Sequence, residues 1–202
     1  GTPLHGAVRR GAKELVELLL DRGANIDARD QYGQTPLHDA VNKNLDSRVT
    51  PLLSRGAQVN ARDEQGPTPL HLAARSPVRP VVGLLLANRA AVNAVTATGE
   101  TPLHAAVARN NAPVALLLLE HGADAALPDG TGAPALHQAL TLRQDAVAAA
   151  LVARVDPALR NADGATPLHL AGHSAELTGL LLARGADPRA VDDRGRTPLH
   201  LT

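Results

Sequence analysis

Seven histidines recur at one register of the chain: His5, His38, His71, His104, His137, His169 and His200, at steps of 33, 33, 33, 33, 32 and 31 residues. Imidazole is a common metal ligand and the side chain that titrates nearest neutral pH. Such a column, with the chain's one aromatic residue, Tyr32, lying six positions before His38, poses a question of chemistry. Metal binding fails on geometry. Elements that repeat at this period stack as helices about 8–10 Å apart, whereas zinc needs several ligands at about 2 Å from one point. Six of the histidines close the tetrapeptide TPLH, and His137 closes the degraded copy PALH at 134–137. Threonine caps a helix, proline suits the first helical position, and a residue three past the cap can reach back as in a capping box. The histidine is therefore expected to hydrogen-bond the backbone or threonine at the helix start. His121 and His173 lie off the column and carry no expected role.

Other reactive sets are missing. There is no cysteine, hence no disulfide, thiol nucleophile or thiolate metal site. The serines, Ser47, Ser54, Ser76 and Ser174, lie outside any G-x-S-x-G elbow, and neither GxxxxGK[ST] nor HExxH occurs. Acidic pairs such as Asp192-Asp193 fall in turns, where Asp bonds its own backbone. The segment is read as not an enzyme, with no cofactor. Twenty basic and twenty acidic residues cancel, and one tyrosine makes no base-stacking platform, so nucleic acid is not an expected partner. No apolar run approaches the ~20 residues that span a bilayer, and no basic amphipathic helix with bulky anchors suggests a membrane surface. GTPLHGAVRR is not a signal peptide. Phe, Trp and Met are absent. The core must then be thin, made of Leu, Ala and Val.

The period explains itself in residues 35–66. Thr35 caps, Pro36 opens a helix, and Leu37, Ala40 and Val41 form its apolar stripe. A second helix ends in Leu52-Leu53, with Gly56 placed to close it in left-handed backbone. Residues 57–61 are expected to run extended into the turn Asp63-Glu64-Gln65-Gly66. No such unit buries its apolar face alone, so neighbours must stack.

TPLHxA, then LLxxGA, then DxxG, every 33 residues over essentially the whole chain, resembles the ankyrin repeat family. The resemblance implies an all-α repeat solenoid: antiparallel helix pairs with β-hairpin fingers, in six repeats (approximately 1–33, 34–66, 67–99, 100–132, 133–164 and 165–195) with the start of a seventh at 196–202. Because the ends fall inside repeats, the chain is read as part of a longer protein. The family implies a non-catalytic protein–protein interaction scaffold binding a protein or peptide through finger tips and the concave face of the first helices. The alternative is a substrate-targeting or regulatory region of a larger enzyme, such as a ligase, kinase or transferase. A monomer in the cytoplasm or nucleus is expected. Carried onto this sequence, the tips include Arg29, Gln31, Tyr32 and Gln34, then Arg62, Glu64 and Gln65. The first-helix ends supply Arg9 and Arg10, Asn42 and Lys43, Arg75 and Ser76, and Arg109. Stacked, these ends form a basic stripe suited to an acidic segment of a partner; cations also favour helix C-termini for their own sake. Tyr32 has no aromatic counterpart, its equivalents being Gln65, Thr98, Thr131, Ala162 and Arg194. Asn60 and Asn93 occupy a finger position that is hydroxylated in some ankyrin proteins of animal cells; a loop asparagine bonding backbone is the simpler reading.

Several positions break the pattern. Pro51 falls within the second helix of its repeat and should kink it or delay its start, whereas Pro77 and Pro80 fall at a helix start. Arg89 stands where a left-handed glycine is expected, at a cost of about 1 kcal/mol. The fifth repeat has lost its Thr-Pro cap and one residue in ARVDPAL, and the sixth is two residues short between its helices. These losses suit either drift or a reshaped binding face.

Overall fold

A computed structural model describes residues 1–42, 46–76 and 79–201. Lys43 and Pro77 lie outside them. The described residues hold twelve α-helices, α1 (Pro3–Arg10), α2 (Lys13–Asp21), α3 (Pro36–Asn42), α4 (Asp46–Ser54), α5 (Pro69–Ala74), α6 (Arg79–Ala87), α7 (Pro102–Val107), α8 (Ala112–Glu120), α9 (Ala135–Thr141), α10 (Asp145–Val152), α11 (Pro167–Leu170) and α12 (Ala175–Ala183), with a closing 3-10 turn at Pro198–Leu201. Consecutive helices pair, α1 with α2 through α11 with α12. The odd-numbered helices pack in one row and the even-numbered in another. The result is a two-layer, all-helical solenoid.

Each odd helix starts where a TPLH copy predicts. Thr2, Thr68, Thr101 and Thr166 are extended N-caps with proline in the first turn and a reciprocal capping box completed by the histidine. A threonine cap contributes ~1 kcal/mol. The odd helices are short and nearly engulfed: every residue of α7 is buried. The even helices bury one face, as Val147, Ala148, Leu151 and Val152 do in α10. All the largest fully buried side chains are leucines, packed among alanine and valine along the whole length of the stack. With so few large side chains the core is one continuous seam between the rows, and each pair is stable only against its neighbours.

The departures resolve individually. Pro51 sits inside α4. That helix begins at Asp46, 33 residues after α2 begins at Lys13 and 33 before α6 begins at Arg79, so the proline does not delay its start. Pro80 is the second residue of α6, where proline is tolerated. Arg89 adopts φ 64°, the left-handed geometry that its glycine counterparts Gly23, Gly56 and Gly122 also take. Arg154, at the same place after α10, does not: the deletion removed the left-handed stop. Residues 57–61 are not extended as expected. The Ala61 N–H bonds the Gln58 carbonyl at 3.1 Å in a turn that recurs at Ala28, Ala94, Leu159 and Ala190.

The fingers are tight turns. In the first, the Asp30 N–H bonds the Gln34 carbonyl at 2.9 Å and the Gly33 N–H bonds the Asp30 carbonyl at 3.0 Å. Later fingers repeat both bonds. Among the described residues, strand pairing is limited to one isolated bridge, Pro128 with Pro134; these hairpins are too short to form a sheet.

Candidate functional site

The histidine column is scaffold. In His71, Nδ1 lies 3.1 Å from the Thr68 nitrogen and 2.9 Å from Thr68 Oγ1, while Nε2 lies 3.0 Å from the Glu100 carbonyl. The Thr68 N–H must donate to Nδ1, so Nε2 carries the proton and donates to the carbonyl. His5, His38, His104 and His169 repeat the arrangement toward Gln34, Pro67, Ala133 and Arg196. Each ring thus ties its own helix start to the last residue of the next finger. The local half was expected; the reach into the next unit was not. Burial pushes the pKa of His38, His71, His104 and His137 down from the usual 6.5, against opposition from the carbonyl bonds, which favours the neutral form; in His38, His71 and His104 both ring nitrogens are engaged. His137 lacks the threonine: Pro134 stands in its place, and buried Nδ1 has no partner among the described residues.

The finger tips form a row along one edge. The first residue of each turn fixes its shape: Asp30 Oδ1 accepts the Tyr32 and Gln34 N–H groups at 2.9 and 3.0 Å, and Asp129, Asn161 and Asp192 do the same. Adjacent tips are joined by one backbone bond each, Glu64 N–H to Tyr32 O (3.1 Å), Ala97 to Gln65 (3.4 Å), Gly130 to Thr98 (2.8 Å) and Asp193 to Asp163 (3.0 Å). Between the fourth and fifth tips the acceptor shifts to Gly132, bonded by Ala162 at 3.0 Å. Gly33 shows why the tips need glycine: its φ is 71°, and a Cβ there would lie 2.9 Å from the Glu64 nitrogen. The turn places Asp163, not Ala162, at the position of Tyr32, because counting back from Gly164 absorbs the missing residue.

The structure separates the candidate contact residues by what they already hold. Tyr32 is 60% exposed at its tip, beside exposed Gln31, Glu64 and Gln65. Gln34 is half-buried and donates to Asp63 Oδ2 at 3.3 Å. Arg29 is committed to the carbonyls of Gly33 and Arg62, and Arg62 to that of Val95; they form rungs between fingers. Arg9 bridges Asp39 at 2.8 Å and Asp30 at 2.9 Å, and Arg75 pairs with Glu100 at 3.3 Å. Neither is a spare cation. The side chains of exposed Arg10 and Arg109 form no ion pair or hydrogen bond among the described residues; Asn42 is exposed and Ser76 half-buried. A groove of about 310 Å³ follows the finger bases past Gln65, Pro67, Arg75 and Glu100, and one of about 530 Å³ lies between the tips at Thr98 and Thr131.

Asn60 and Asn93 are stitches. Asn60 Oδ1 accepts the Ala91 N–H at 2.7 Å and its Nδ2 donates to the Arg89 carbonyl at 3.3 Å. Asn93 does the same with Asp124 and Gly122, at 2.8 and 3.2 Å. No helix among the described residues is long and apolar enough to cross a membrane.

Paired helices stacked in two rows, with capped starts and a ladder of turns on one edge, define a repeat solenoid of the kind that presents a surface rather than a cavity. A family model described as ankyrin repeats (3 copies) matches residues 1–63, 41–129 and 70–161, and one described as ankyrin repeat matches 163–193. The chain belongs to the ankyrin repeat family. Among solved structures it is similar to the ankyrin repeat domain of Bcl-3, described as a unique member of the IkappaB protein family. The identity is 31% and the TM-score 0.89, covering all of this chain and 94% of that one. No curated protein matches the sequence.

Proposed function

We propose that the chain is a non-catalytic protein-interaction scaffold that holds a partner protein along its finger tips and the adjoining groove of the odd-numbered helices. One observation carries the reading: the reactive-looking groups are spent on the scaffold, while the tip side chains Gln31, Tyr32, Glu64 and Gln65 project from turns held by backbone bonds and by the Asp30 and Asp63 carboxylates. A rigid backbone presenting exposed side chains loses little entropy on binding. Tyr32 is the natural anchor, since an amphipathic ring buries much area with few rotors. The ankyrin fold of this chain and of the Bcl-3 domain supports the same reading.

The surface is of mixed charge. Arg9, Arg29, Arg62 and Arg75 are committed internally, so acidic partner groups would sit opposite Arg10 and Arg109, with Asn42 and Ser76 between them and Lys43 close in sequence. Proteins captured by the wild-type chain should be released by Tyr32→Ala combined with Arg10→Glu and Arg109→Glu. Capture that survives this triple variant would sink the assignment of the face.

A further inference from the structure

Behind the fingers, each even-numbered helix is followed by a loop, and these loops form a second ladder. Three rungs are side chains at one repeating position. Asp27 accepts the Gln58 N–H at 2.9 Å. Asn60 and Asn93 go further, each offering its carbonyl oxygen to one N–H and its NH2 to the carbonyl two residues earlier. The same position in the next loop is Ala126. Its methyl group bonds nothing, and the groups that an asparagine would have joined there are the Asp156 N–H and the Arg154 carbonyl. Neither has a hydrogen-bond partner among the described residues. A cleft of about 270 Å³ opens at this point, lined by Ala126, Arg154 and Asp156, with Leu119 and Val155 as its apolar wall. The one-residue deletion after α10 and the alanine thus leave open a gap that this chain fills twice elsewhere.

The geometry points to this cleft as a binding site for a primary carboxamide, the side chain of an asparagine or glutamine carried by a protein partner. The two open groups lie two residues apart in one loop, as do the pairs joined by Asn60 and Asn93, although the Arg154 backbone is not left-handed as it is at Arg89 and Gly122; the group that spans those pairs is a CONH2, whose oxygen and cis N–H point the same way. A trans backbone amide presents its N–H and carbonyl in opposite directions and cannot span it. A carboxylate has no proton for the Arg154 carbonyl, and an ammonium has no acceptor for the Asp156 N–H. Leu119 and Val155 are buried and shield one side of the bonds from water, which strengthens them. The site lies away from the finger tips; it rests on the scaffold reading only in taking a protein as the source of the amide.

The test reads the site without any natural partner. The 15N-labelled chain is titrated with N-acetylasparagine methylamide and, in separate arms, with the aspartate and leucine analogues. The Asp156 amide resonance is expected to shift saturably with the asparagine compound, at least fivefold more than with either analogue. In Ala126→Asn it should already be displaced and should no longer respond. No shift at Asp156, an equal shift with the leucine analogue, or an undiminished response in Ala126→Asn would overturn the site. None of these outcomes bears on partner binding at the finger tips, so the two readings fail separately.

Discussion

His71 and Glu100 lie 29 residues apart, yet the imidazole Nε2 of one donates to the backbone carbonyl of the other at 3.0 Å, while Nδ1 of the same ring closes the Thr68 cap. A single buried ring thus serves a helix start and the joint to the next unit. His71→Ala should remove both bonds and leave a cavity, costing roughly 2–4 kcal/mol. His71→Gln should recover part of the cap but not the joint. Urea unfolding of the two variants separates the contributions: their difference reads the cap, and a His71→Gln variant as stable as the native chain would mean the reach to Glu100 contributes nothing.

The same rings make the fold acid-sensitive. Burial lowers the pKa of His38, His71, His104 and His137 below the ordinary 6.5. The unfolded chain therefore takes up protons near pH 6.5 while the folded chain stays neutral. By linkage, stability is fully present above that pH and declines as pH falls from about 6.5 toward the folded values. Urea midpoints at pH 7.5, 6.0 and 5.0 should decrease in that order. A flat or rising series would contradict the neutral, bridging tautomer.

His137 is the defective member of the column. Pro134 supplies no side-chain acceptor for the start of α9, and His137 Nδ1 is left without a partner among the described residues. Pro134→Thr restores the missing group at a residue whose φ of −63° and ψ of 157° suit a capping threonine. It should stabilise the chain by about 1 kcal/mol, read as a raised urea midpoint with unchanged slope. A lowered midpoint would show that proline's rigidity matters more here than the cap.

Arg89 holds left-handed backbone at φ 64°, and its carbonyl, not its side chain, takes the bond from Asn60. Arg89→Gly relieves the strain and keeps that bond, so a gain of about 0.5–1 kcal/mol is expected. Loss of stability would show that the guanidinium contributes something no contact here explains.

The sequence carried what is local and periodic. Thr68 and His71 are three residues apart and read directly as a cap; the left-handed turn at Arg89 follows from glycine at its equivalents. Contacts across the stack were hidden. Arg9 looked like part of a free basic stripe, but its partners Asp30 and Asp39 lie 21 and 30 residues away and meet it only once α1 packs on α3. Arg29 and Arg62 read as exposed tip residues, and their bonds to carbonyls 33 residues on were not legible. Asp163, not Ala162, is the counterpart of Tyr32, because the residue before the turn glycine keeps its place in every finger whatever the spacing between repeats. The bend of residues 57–61 was missed because no proline or glycine marks it. Tyr32 was legible as an exposed tip residue because its turn, Asp30 to Gln34, is written in local chemistry.

Tyr32→Ala changes an exposed ring on a turn held by Asp30, so stability should stay within about 0.5 kcal/mol. The most direct measurement of the scaffold's working face uses a photo-crosslinking residue placed in turn at Gln31, at Gln65 and, on the outer row, at exposed Leu18 of α2, with cross-linked proteins identified by mass spectrometry. One protein should be trapped from Gln31 and from Gln65, not from Leu18, and the trapping should fall at least tenfold when Tyr32→Ala, Arg10→Glu and Arg109→Glu are combined. The same protein trapped from Leu18 but from neither finger position would contradict the account.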